Sequence, residues 1–390
     1  MVAYRESTTG TAKGRRPMRV GRGWTRACLA ALALALVGPA ALARDEKIRP
    51  LPGMPPLVDR HDVYAAARPG KLSPAVRDAV SRIYVPNSRS STVDVIDPAT
   101  YKIVGHFKVG LEPQHVTPSY DLKTLWVLAD SGNSLTRIDP LTGRKKETIR
   151  VIDPYNMYYT PDGRYAIVVA ERKRRLDFRD AQTMKMVKAL PVPCRGVDHM
   201  DFSADGRYLI ASCEFSGQML KVDVAGQKVL DTLKLPGHAM PQDVRLSPDG
   251  SVFFVADMTA NGVYLIDGDP FRRIGFIPTG RGTHGLYFSR DSKRLFASNR
   301  GEGSISVIDV STRKVQVKWR IPRGGSPDMG GVSADGRVLW LSGRYHSEVY
   351  AIDTEDGRLL ARIRVGRQPH GLCVWPQPGR YSLGHTGVMR

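Results

Sequence analysis

The stretch "STVDVIDPAT", residues 91–100, decides the fold, because the same grammar returns six more times along the chain. "NSLTRIDPLT", "RRLDFRDAQT", "QMLKVDVAGQ", "NGVYLIDGDP", "GSISVIDVST" and "SEVYAIDTED" each end an alternating apolar run with an aspartate. These are Asp97, Asp139, Asp180, Asp223, Asp267, Asp309 and Asp353, separated by 42, 41, 43, 44, 42 and 44 residues. Alternation of period two marks strands, and a unit of about 40–45 residues is the length of one four-stranded propeller blade. Seven copies therefore predict an all-β chain, a seven-bladed β-propeller of four-stranded antiparallel sheets. The aspartates themselves read as turn residues, their carboxylates bonding nearby backbone N–H groups.

Within each unit, a first strand such as "MDFSADGR" enters an Asp-Gly turn, at 162–163, 205–206, 249–250 and 335–336. Such a pair supplies the positive backbone angle that a tight hairpin needs. A second strand follows ("LWVLAD", "FFVAD", "LFASN"), then the strand ending in aspartate, then a fourth such as "LLARIRVG". The series opens on a second strand, "RIYVPN" (82–87), and closes on an unpaired first strand within "HGLCVWPQPG" (370–379). If these pair, one C-terminal strand completes the blade begun by three N-terminal strands and no long sheet edge stays open.

The first 43 residues differ in kind. Arg15, Arg16, Arg19, Arg22 and Arg26 precede the apolar run "ACLAALALALVGPAALA", which ends in Ala41-Leu42-Ala43 before "RDEK". Basic, apolar and small-x-small regions in that order define a secretory signal cut after Ala43, so the expected location is periplasmic or secreted. Residues 44–80, with "RPLPGMPPLVDR", lack the period and read as an extended Pro-rich arm, with a short helix near "SPAVRDAVSR"; residues 81–390 are assigned to the propeller. No stable membrane span is expected once the signal is removed, and a monomer is expected. Removing the signal takes away seven basic residues and Glu6, and the net charge falls from +20 to +14. That balance favours a small anionic ligand or an acidic protein partner. Nucleic-acid binding through the basic rim is the weaker alternative, because no dense basic stripe is interleaved with aromatics. Of the four cysteines, Cys194, Cys213 and Cys373 remain in the mature chain, none at the spacing of a zinc or covalent haem motif. Cys194 and Cys213 are either bridged across one hairpin or two buried thiols.

The unit "IYVPNSRSSTVDVIDPATYKIVGHFKVGLEP" (83–113), with its YVxN-like strand, its "VID" strand and its VGxxP connector, resembles the YVTN family of β-propellers, which includes exported YncE-like proteins. The resemblance spans about residues 82–380. At superfamily level it extends to propellers of haem d1-type nitrite reductase, nitrous oxide reductase, thiocyanate dehydrogenase and the quinoprotein amine dehydrogenase β subunit. It implies an architecture, and function has to be argued from the site.

First strands of a propeller line its channel. Seven residues before the turn aspartate, or its equivalent, stand Gln114, Tyr155, Asp198, Gln242, His284, Asp328 and His370; six before stand His115, Asn156, His199, Asp243, Gly285, Met329 and Gly371. The positions five and three before are mostly apolar, so the polar entrance is the candidate site. His115, His199, His284 and His370 occur in every second blade and form a candidate metal ring, for which copper or zinc is the expected ion. Arg89, Arg195, Arg281, Arg300 and Arg344, with Asp198, Gln242, Asp243 and Asp328, form a candidate ligand-binding rim. A binding module asks least of this sequence, which shows no nucleophile–base motif and no phosphate loop. The alternative is a copper-type oxidoreductase or a lyase that uses the histidine ring.

Overall fold

The computed structural model describes residues 50–390, so the signal segment lies outside the described residues. Seven four-stranded antiparallel sheets follow one another around a channel. Blade 1 is built from Arg82–Asn87, Thr92–Asp97 and Lys102–Lys108, and its innermost strand is Cys373–Trp375. There Arg82 faces Trp375, Ile83 faces Val374 and Tyr84 faces Cys373, so the ring closes as one plus three. Blades 2 to 7 start at the inner strands Pro113–Pro118, Pro154–Tyr159, Val197–Phe202, Pro241–Leu246, Thr283–Phe288 and Pro327–Val332.

Burial follows this order from the channel outward. In blade 2 the second strand Leu125–Ala129 is buried throughout, whereas the outer strand Lys145–Arg150 is exposed at nearly every position. Alternating apolar residues of neighbouring blades fill the wedges between sheets, and the charged residues are left on the circumference. All seven repeat aspartates act in turns, each accepting a backbone N–H two or three residues on: Ala99, Leu141, Gln182, Gly226, Asp269, Thr312 and Glu355. The turn role expected of them accounts for all seven.

Two non-repeating segments complete the molecule. The arm, residues 50–80, packs beneath the ring with only two short 3-10 turns, Ala65–Ala67 and Pro74–Val76. Leu51 N–H bonds to Asp205 C=O, Val63 N–H to Pro248 C=O and the Tyr64 hydroxyl to Leu246 C=O, all on blades 4 and 5. After the closing strand, residues 382–389 fold into a tight hairpin, bridged between Ser382 and Met389, that rises into the channel. Its tip needs Gly384, at φ +93°, where a Cβ would stand 2.4 Å from the Met157 carbonyl. Leu383 C=O accepts from Tyr159 N–H, His385 N–H donates to Met157 C=O, and the Thr386 hydroxyl reaches Gly330 C=O on the opposite side. Arg390 anchors the base, 3.1 Å from Asp201 and over the Tyr64 ring at 4.4 Å. Cys194 and Cys213 are joined by a disulfide inside blade 4, and Cys373 is a buried free thiol. Among the described residues no helix is long and apolar enough to cross a membrane.

Candidate functional site

The inner strands of blades 2 to 7 all carry a register shift at their channel entrance. One residue is skipped in blades 2 and 3 (Gln114, Tyr155), and two in blades 4 to 7 (Asp198–His199, Gln242–Asp243, His284–Gly285, Asp328–Met329). A bulge breaks strict alternation, which allows consecutive residues to project away from the sheet plane. This is why histidines one register position apart meet. The rings of His115 and His370 lie 4.9 Å apart, those of His284 and His370 5.7 Å, those of His115 and His199 5.5 Å and those of His199 and His284 6.3 Å. The four imidazoles thus gather across the channel.

They divide into two environments. His370 and His284 face Asp328: Nδ1 of His370 is 2.7 Å from Oδ2, and Nδ1 of His284 is 3.1 Å from Oδ1. Arg300 donates to Oδ1 at 3.1 Å, and Arg344 stands 4.0 Å from Oδ2. Burial works to raise the Asp328 carboxyl, but the facing imidazole of His284 and the two guanidinium groups outweigh it and hold Asp328 below the usual carboxylate range. Burial, followed by the charge of Arg344 or Arg300, pushes His370 and His284 well below the ordinary imidazole value, so both are neutral at pH 7; His370 donates to the ionised Asp328 carboxylate, whereas His284 Nδ1 faces it without a hydrogen bond. The Tyr155 hydroxyl lies 3.4 Å from His370 Nε2 and covers the group.

Across the mouth the charge pattern inverts. Asp198 accepts from Ser212 and from His199 N–H through Oδ1, while its buried Oδ2 has no partner. Burial and the neighbouring Glu214 push Asp198 well above the carboxylate range; burial likewise raises Glu214, and Glu171 is pushed up to about 7 by burial and Glu214. Asp198 therefore holds its proton at neutral pH and presents an O–H donor, and Glu171 shares that character in part. Gln242 bonds back to Met240 C=O, and Asp243 is held by Arg245 at 3.4 Å and by the Leu286 and Val244 N–H groups.

The candidate rim is divided. Arg300 and Arg344 turn inward to Asp328, whereas Arg89, Arg195 and Arg281 are exposed at the edge. Arg195 and Arg281 are spent on the Phe215 and Gly301 carbonyls of adjacent turns. A fifth channel imidazole, His385, was not among the sequence candidates. It comes from the tail hairpin and lies 5.3 Å from His115 and 5.0 Å from His199, ring to ring. The Gly-His-Thr-Gly tip, 384–387, is its only signal in the sequence, and nothing in the period places that tip in the channel.

Fold and site together define a seven-bladed propeller whose channel is plugged from below by its own tail and lined above with buried imidazoles, carboxyls and guanidinium groups. The YncE-like β-propeller family matches residues 62–378, and the chain belongs to that family. It is 24% identical to the dihydro-heme d1 dehydrogenase of Pseudomonas aeruginosa over 58% of this chain and 48% of that protein, so it spans about half the dehydrogenase's length. It is 21% identical to the YncE protein of Salmonella typhimurium over 63% of this chain and 73% of that one. Among solved structures, a chain of Kuenenia stuttgartiensis hydrazine synthase superposes with a TM-score of 0.61 at 18% identity, covering 74% of this chain and 96% of that one. A dihydro-heme d1 dehydrogenase superposes at 0.57 and 16% identity, covering 78% of this chain and 77% of that one. At these identities the structural likeness concerns the fold.

Proposed function

We propose that this protein is an exported binding module that takes a small carboxylate or oxyanion at the mouth of its channel. The observation that carries this reading is Arg344: its Nη1 is buried without a hydrogen-bond acceptor, 4.0 Å from a carboxylate already bonded to Arg300 and His370 and faced by His284. Two guanidinium groups stand against the one ionised carboxylate of Asp328, and the protonated Asp198 opposite adds a donor rather than negative charge. A buried donor without an acceptor costs about 1–3 kcal/mol, which an incoming anion relieves. Export is supported by the signal grammar of residues 1–43, and the disulfide suits an oxidising compartment.

Calorimetric titration with formate, acetate, phosphate and sulfate tests the proposal. At least one is expected to bind with an affinity that falls as salt is added and drops tenfold or more in Arg344→Gln. Failure of all four to bind at millimolar concentration, or equal binding by the Arg344→Gln variant, would overturn the reading.

A further inference from the structure

Beneath the anion site, three imidazoles meet that belong to three separate parts of the chain. One ring nitrogen each from His115, His199 and His385 lies within 4.8 Å of the other two, and all three side chains are fully buried. His115 and His199 stand on the inner strands of blades 2 and 4, and His385 is carried up by the tail hairpin. None of the three Nε2 atoms has a hydrogen-bond partner. Three unpartnered nitrogens on three neighbouring buried rings are unusual, since buried polar atoms are nearly always paired.

The other ring nitrogens are held. His115 Nδ1–H donates to the Tyr155 carbonyl at 2.8 Å, which fixes its tautomer and leaves a lone pair on Nε2. Asn156 Nδ2 lies 3.1 Å from Nδ1 of His199 and 2.9 Å from Nδ1 of His385. A ring that donates one N–H and keeps the other nitrogen open, as His115 does, is how proteins orient imidazoles toward a metal; His199 and His385 accept from the Asn156 amide, so without an ion their protons sit on Nε2.

We propose that His115, His199 and His385 bind a single Cu(I) ion, so that the tail hairpin completes a metal site as well as plugging the channel. Imidazole suits both copper and zinc. The choice between them follows from charge. The cost of burying an ion rises as the square of its charge, and the trio contains no carboxylate: Asp243 Oδ1 is 3.7 Å from His385 Nε2, and Asp243 is already paired with Arg245. Three neutral ligands in a closed site therefore favour a monovalent ion. Ligation through Nε2 moves the ring protons of His199 and His385 onto Nδ1, and a half-turn of the Asn156 amide presents its oxygen to receive them, giving up the bond that oxygen now accepts from Met157 N–H.

The test is anaerobic competition for Cu(I) against a chromogenic chelator, using the full mature chain and parallel titrations with Zn(II). One equivalent of Cu(I) is expected to bind, more tightly than Zn(II). Its affinity should fall on the order of 100-fold in His385→Ala and stay unchanged in His238→Ala, whose exposed ring lies outside the channel. Asn156→Asp, which offers an acceptor in either orientation, is expected to tighten binding. Absence of stoichiometric Cu(I) binding, equal affinity in His385→Ala, or tighter binding of Zn(II) would each overturn the assignment. The site does not depend on Arg344, so copper binding by Arg344→Gln separates its fate from that of the anion site.

Discussion

Nδ1 of His370 and Oδ2 of Asp328 stand 2.7 Å apart inside the channel, joining the segment that leads into the closing strand to the inner strand of blade 7. Asp328 is also the carboxylate on which Arg300 and Arg344 converge. Its charge therefore balances cations that arrive on blades 6 and 7, and its Oδ2 holds His370 in its donor tautomer.

Asp328→Asn is expected to destabilise the propeller by about 3–5 kcal/mol, because the substitution leaves the buried Arg300 guanidinium without its counter-charge. Urea unfolding of the variant and the parent measures the difference. A loss below about 1 kcal/mol would show that solvent, rather than Asp328, balances these arginines.

Gly371→Ala probes why a glycine follows the histidine in "PHGL". A Cβ at 371 would stand 2.0 Å from Cδ2 of His115, whose ring crosses from blade 2 over the closing strand. The flanking backbone cannot yield easily, since Gly371 N–H bonds to Gln114 C=O and Val116 N–H to Gly371 C=O. The expected cost is about 1–3 kcal/mol of overpacking, together with displacement of His115. Unfolding measurements read the first effect and the His115 imidazole resonances the second; unchanged resonances would contradict the packing argument.

The contrast between Gly371 and His385 shows what a repeat reveals and what it hides. Counting back from the turn aspartates led to His115, His199, His284 and His370 because blade geometry forces equivalent positions to the same entrance. The bulges that bring two registers together left no sequence mark beyond a pair of adjacent polar residues such as Asp198–His199 or Gln242–Asp243. His385 was out of reach for a different reason. It belongs to a segment without period, whose place is fixed by long-range bonds from Tyr159, Met157 and Gly330. Likewise, Arg300, just after the second strand of blade 6, and Arg195, just before the inner strand of blade 4, read alike as rim arginines, and only Asp328 beside one and a turn carbonyl beside the other show that they point in opposite directions.

Glu171 gives the mouth a pH dependence whose sign can be worked out. Burial and Glu214 raise its carboxyl from 4.5 to about 7, so the folded protein holds a proton there that the unfolded chain has released. The stability tied to that proton is fully present below about pH 4.5 and is lost as pH rises through 7. Relative to Glu171→Gln, which remains neutral, the parent should therefore melt at progressively lower temperature between pH 5 and pH 8. Anion affinity should fall over the same interval in the parent, because ionised Glu171 repels the ligand, and it should stay flatter in Glu171→Gln. Thermal melts and titrations at unit pH steps measure both. A melting-temperature gap between the two proteins that does not change with pH would mean that Glu171 is already ionised in the folded state.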